Sequence, residues 1–127
     1  MKRSRMKKKP DGREWHIMAL NTHRNANGFC DRCGEKLPLG TPPAHRIPRK
    51  KSDPSLDEDF NLALMGWMGC YCHTKFDEGR GKFYSEMLKE DEPCILLQRI
   101  LAHPRLKEYM DQELAIWEVK QEQEGRI

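Results

Sequence analysis

The sequence predicts a small α+β protein closed by a zinc staple, with additional helices on its N- and C-terminal sides. Three observations lead there. Two cysteine pairs, Cys30 with Cys33 and Cys70 with Cys72, flank residues 34–69, and each pair is tight enough to chelate. Apolar residues fall at helical spacing towards both ends of the chain and in short strand-like runs between the pairs. Hydrophobic residues make up 37% of the 127 and charged ones 34%, so apolar burial alone gives a thin core. A metal site offsets that, because binding an ion to a site absent from the unfolded chain adds directly to folding free energy.

Residues 1–12 read as a disordered basic arm, in which Lys2, Arg3, Arg5, Lys7, Lys8 and Lys9 precede Pro10 and Gly12. Such a block repels itself until it meets a polyanion, which makes Lys7, Lys8 and Lys9 candidate phosphate contacts; the other reading is a solubilising tail. Residues 13–80 form the zinc-containing domain. Trp15, Met18 and Ala19 follow helical spacing, with Ile17 and Leu20 flanking them, and Asn25-Ala26-Asn27-Gly28 ends that helix because Asn and Gly tolerate the left-handed conformation of a C-cap. His16 and His23 belong to its polar face. Residues 29–37 make a zinc knuckle that turns at Gly34, and Pro38, Gly40, Pro42 and Pro43 exclude a long helix after it. A short strand over 44–48 presents His45. Arg46, Arg49, Lys50 and Lys51 form a second basic cluster, residues 52–59 a polar, partly acidic loop, and Phe60 to Met65 an apolar strand-like or short helical run. The second knuckle starts a helix that continues to Glu78, where Gly79 and Gly81 break it.

Residues 81–127 are a helical extension. Phe83, Met87 and Leu88 mark one short helix that ends near Pro93. Residues 94–102 are the most apolar run and form a buried helix punctuated by Pro104, with Cys94 as a small core residue rather than a reactive thiol. Leu106, Met110, Leu114 and Trp117 then lie on one stripe of an amphipathic helix. That stripe suits packing on the parent domain; the alternative is docking on a protein partner or a second copy of the chain.

Cys30, Cys33, Cys70 and Cys72 are the preferred zinc ligands. A rival set replaces Cys72 with His73, since Cys70-x-x-His73 has the usual two-residue gap, and the sequence leaves both open. An odd count of five cysteines does not suit a disulfide framework and points to a reducing, cytoplasmic compartment. No export h-region follows the basic arm. Gln98 and Arg99 interrupt the most apolar run, so no membrane partner is expected.

The order Cys30-x-x-Cys33, His45-Arg46-Ile47-Pro48, Asn61-Leu62 and Cys72-His73 resembles the HNH endonuclease family, in particular its short zinc-containing phage members, over roughly residues 24–76. The resemblance implies a ββα-metal, treble-clef-like unit whose partner is DNA. It implies that His45 is the general base, that Asn61 braces the loop carrying it, and that His73 binds a catalytic Mg2+ or Mn2+ while the cysteines hold a separate structural zinc. Phosphodiester hydrolysis needs such a base and a positive centre for the growing charge. Arg46, Arg49 and Lys50 are the candidate clamps on the flanking phosphates. The chain departs from the family pattern at Ala44, where an Asp, His or Glu metal ligand is usual; an acid of the 53–59 loop is the candidate substitute. The alternative reading is a non-catalytic zinc module that binds DNA or RNA.

Overall fold

The structure, a computed structural model, describes residues 12–125; the expected contacts Lys7, Lys8 and Lys9 lie outside these. Helix α1 spans Gly12–Asn25 and buries Ala19. It stops where Asn27 (φ 55°) and Gly28 (φ 78°) turn left-handed and the Gly28 amide reaches the His23 carbonyl at 2.9 Å. The chain then forms a knuckle closed by an antiparallel bridge between Phe29 and Lys36. Strands β1 (Ala44–His45) and β2 (Leu62–Ala63) pair antiparallel, Ala44 opposite Ala63 and His45 opposite Leu62. Between them run two single-turn 3-10 segments, Pro54–Asp57 and Asp59–Asn61. Pro54 opens the first, and its preceding Asp53 carboxylate accepts the Ser55 amide. The apolar run at Phe60 therefore divides into a tight turn and a two-residue strand, and Leu62, Ala63, Leu64 and Met65 are all buried.

Four helices complete an α+β architecture with a small two-stranded sheet: α2 (Cys72–Glu78), α3 (Arg80–Leu88), α4 (Ile95–Ala102) and α5 (Pro104–Gln123). Gly79 separates α2 from α3, whereas Gly81 lies inside α3 rather than breaking a helix. The reason is a helix crossing. A Cβ on Gly81 would lie 2.6 Å from the Glu113 carbonyl oxygen and against the Trp117 side chain of α5, so only a residue without a side chain lets the two helices touch. Gly81→Ala is expected to lower stability by about 1–3 kcal/mol through overpacking, although Ala favours a helix by about 1 kcal/mol. Urea titration would read this as a lower midpoint with an unchanged slope; a rise in midpoint would contradict the packing argument.

One apolar cluster runs from Cys30, Leu37 and Ile47 through Phe76, Phe83 and Tyr84 to Leu96, Ile100, Leu106 and Met110. Phe76 meets Phe83 and Tyr84 edge-on at 5.4 and 5.7 Å, the geometry aromatic quadrupoles favour. On α5, Leu106 and Met110 are buried and Leu114 packs on the same cluster, so the amphipathic stripe is engaged within the chain. Cys94 precedes α4 as its N-cap residue, half-buried, with its thiol 3.6 Å from the Met87 sulfur; burial pushes that thiol upward in pKa. Among the described residues no helix is long and apolar enough to cross a membrane.

Candidate functional site

The four cysteines converge. Cys30 and Cys33 sit on the knuckle, where the Gly34 amide donates to the Cys30 carbonyl at 2.9 Å and the Cys30 amide to the Glu35 carbonyl at 2.8 Å. Cys70 and Cys72 flank Tyr71, which takes a left-handed φ of 57° at the start of α2 and so bends the two thiols towards one another. All four sulfurs lie within 4.8 Å of one another. A tetrahedron of thiolates at about 2.3 Å from zinc has edges of about 3.8 Å, so the donor set fits that ion. Cys72 rather than His73 completes the group.

Charge within the cluster is divided unevenly. The Cys30 sulfur accepts a hydrogen bond from Cys72, which brings its pKa down to about 4, while Cys72 is pushed up because its proton is held against that sulfur. Burial takes Cys33 up to about 11. Thiols this close can all ionise only around a cation. Gly66 backs the cluster, where a Cβ would lie 2.8 Å from the Cys70 sulfur and 2.9 Å from Leu37. The Gly66 carbonyl also accepts the His73 amide at 3.0 Å, which anchors the entry of α2.

His45 and His73 are held on the adjoining β1 and α2. The His45 Nε2 lies 2.8 Å from Asp57 Oδ1, and Arg49 donates to the other Asp57 oxygen at 2.9 Å. The His45 ring also stacks on Trp15 of α1, 6.1 Å between centroids and 12° from parallel. A carboxylate on Nε2 selects the tautomer with its hydrogen there and leaves Nδ1 as the proton acceptor. His73 is buried, its Nε2 3.3 Å from Asp77 Oδ2 one turn along α2. Trp67 covers its ring at 3.9 Å, and the buried Nδ1 lacks a partner. Burial lowers the His73 pKa against the opposing pull of Asp77; Arg80 and His45 are near enough to lower it further. Arg80 ties the two histidines' elements together, donating to the His45 carbonyl at 3.1 Å and pairing with Asp77 at 3.4 Å over the Phe76 ring.

Asn61 is fully buried. Its Oδ1 accepts the Ile47 amide at 2.6 Å, and its Nδ2 donates to the carbonyls of Ile47 at 2.9 Å and Leu56 at 2.8 Å. It thereby clamps the segment after His45 to the 3-10 turn that carries Asp57.

The basic cluster does not act as one surface. Arg46, expected to clamp phosphate, is corrected: it is 2% exposed, with its guanidinium on the Phe60 carbonyl and 3.7 Å from the buried Asp31. Arg46 follows β1 in a bend, its amide on the Asn61 carbonyl at 2.8 Å and its side chain in the core, and burial brings its pKa down to about 10. Arg49 is half-buried on Asp57 and over Trp15, while Lys50 and Lys51 are exposed. Trp15, Asp57, Asp77 and Arg80 are site residues that the sequence reading missed as such. Asp77 carried a usable signal, an acid one helical turn after His73; Asp57 carried none that distinguished it from Asp53, which pairs instead with Arg105.

Among the described residues, the cysteines are the one group of three or more His, Cys, Asp or Glu donors close enough to share an ion. For a second, magnesium-like ion the chain offers the His73 and Asp77 pair. Such ions keep several waters and take phosphate oxygens from substrate, so two protein donors are a partial fit. Ala44 is fully buried and adds none. Comparison of the chain with protein-family models, curated proteins and solved structures finds no match.

Proposed function

We propose that this chain is an HNH-type nuclease that hydrolyses nucleic-acid phosphodiesters on a zinc-stapled ββα-metal unit, with DNA as its partner. The reading is carried by one observation: the strand–strand–helix order of β1, β2 and α2 joins His45 to His73 through Arg80 and Asp77. Asn61 locks the intervening loop. In this reading the zinc is structural.

His45 is the general base. Asp57 holds its Nε2–H, so Nδ1 takes the proton of the attacking water, and the resulting imidazolium is stabilised by the same carboxylate. Arg49 keeps Asp57 in place. Lys50, Lys51 and the arm residues Lys7, Lys8 and Lys9 contact flanking phosphates, which orients the scissile bond without reading sequence. His73 and Asp77 would hold Mg2+ or Mn2+, which when bound stabilises charge on the phosphate and the leaving oxygen.

The test is nicking of supercoiled plasmid with added Mg2+ or Mn2+. His45→Ala is expected to cut roughly a hundred- to ten-thousandfold more slowly with unchanged zinc content and a cooperative melt; equal cutting by the variant would refute the assignment. Ala44 favours a second reading, a non-catalytic zinc module that grips DNA or RNA. Under it no cutting is seen, yet binding persists when Mg2+ is chelated and falls with salt at a log-log slope of roughly 0.9 per phosphate contacted on duplex.

A further inference from the structure

The loop between β2 and α2 carries apolar side chains into solvent for no gain in folding. Met68 is 77% exposed, Trp67 42% and, across from them, Leu39 70%. Burying such side chains is what stabilises a fold, and a clustered exposed group marks a surface used for recognition. The loop is bounded by two glycines with close neighbours. At one end Gly66 is packed against Cys70 and Leu37; at the other Gly69 has a φ of +83° and lies against the Glu35 carboxylate.

These residues enclose, with Leu37, Leu39, Thr41 and Pro42, a cavity of about 270 Å³ that no charged side chain lines. That is below the roughly 300–1,000 Å³ of a drug-sized site, and suits one planar ring system rather than the row of side chains on a docked helix. Trp67 is shared, lining this cavity while its ring lies on His73 at 3.9 Å. The Trp67 ring therefore stands between an uncharged slot and His73. A nucleotide has this division, a neutral π-face next to an anionic phosphate.

We infer that the slot between Trp67, Met68 and Leu39 receives an unpaired nucleobase next to the phosphate held at the histidine site, so that the substrate is single-stranded or locally unpaired nucleic acid. The inference rests on the nucleic-acid reading above and adds its substrate class. Stacking on an aromatic ring tolerates every base. A duplex must first unstack a base at a cost of a few kcal/mol, whereas a single strand presents one directly.

The experiment is fluorescence anisotropy with the full chain, zinc content verified and no divalent ion added. The probes are an end-labelled single-stranded oligonucleotide of mixed sequence and the blunt duplex of the same length. The single strand is expected to bind more tightly than the duplex. Trp67→Ala should weaken single-strand binding roughly ten- to a hundredfold and leave duplex binding within about threefold, and Trp67→Phe should recover most of the loss. Equal binding of both probes, or a Trp67→Ala effect shared by both, overturns the stacking slot while the nucleic-acid reading stands. If the wild-type chain binds neither probe, both fail. Should Trp67→Ala lose zinc, the surface pair Leu39→Ser with Met68→Ser replaces it and must reproduce the selective loss. A wild-type dimer that these changes turn into a monomer shows that a second copy occupies the slot, which also overturns the proposal.

Discussion

Serine at Cys30 or Cys72 is expected to unfold the protein rather than weaken it. Both thiols are buried within the four-sulfur cluster, and the first knuckle, the Gly66 turn and the entry of α2 meet there. Structural zinc in finger peptides binds with an apparent 10–16 kcal/mol at neutral pH, as large as the whole stability of an ordinary domain, about 5–15 kcal/mol. No rearrangement of neighbouring apolar groups offsets a loss of that size. Circular dichroism and elemental analysis of one sample should give one zinc per folded chain. The serine variants should have neither zinc nor a cooperative melt, and strong chelator should unfold the wild type. A cooperative melt from metal-free protein would remove the staple from the account. Cys94→Ser is the control. It sits outside the cluster as the N-cap residue of α4, with no side-chain cap bond in the wild type. Serine is a favoured cap, so stability should change by less than about 1 kcal/mol.

The second large effect belongs to Asn61. Truncation to Ala leaves the Ile47 amide and the carbonyls of Ile47 and Leu56 without their partner in a place water does not reach. Each unsatisfied buried group costs about 1–3 kcal/mol, so the variant should lose about 3–9 kcal/mol in urea titration. Asn61→Asp is the sharper probe, since it keeps the shape and the Ile47 amide bond but replaces the donating amide with a carboxylate facing two carbonyl oxygens. It should be no more stable than Asn61→Ala. A loss below about 1 kcal/mol for both would mean that the loop does not depend on this side chain.

Much of this was legible in the sequence, for identifiable reasons. The left-handed Asn27-Gly28 exit from α1, the knuckle with its turn at Gly34 and the stripe of Leu106 and Met110 are local signals, and local signals survive folding. What escaped was set by contacts between distant segments. Gly81 reads as a helix breaker until α5 is laid across it. Arg46 belongs by composition to a basic surface, but the bend that follows the two-residue β1 turns it into the core. Asp57 is one acid among several in its loop, and only the tight turn after Pro54 brings it to His45. The choice of Cys72 over His73 hangs on the left-handed backbone at Tyr71, a conformation that an aromatic residue rarely signals.

The crossing of α5 over α3 has a consequence for the histidines. Gly81 follows Arg80 directly, and Arg80 is the residue whose guanidinium grips the His45 backbone and Asp77. The C-terminal helix is therefore a buttress: by seating Trp117 and Glu113 on Gly81 it keeps that arginine, and through it the spacing of both imidazoles, from drifting. A chain shortened before Pro104 would retain His45, His73, Asp77 and Arg80 and is expected to lose their alignment.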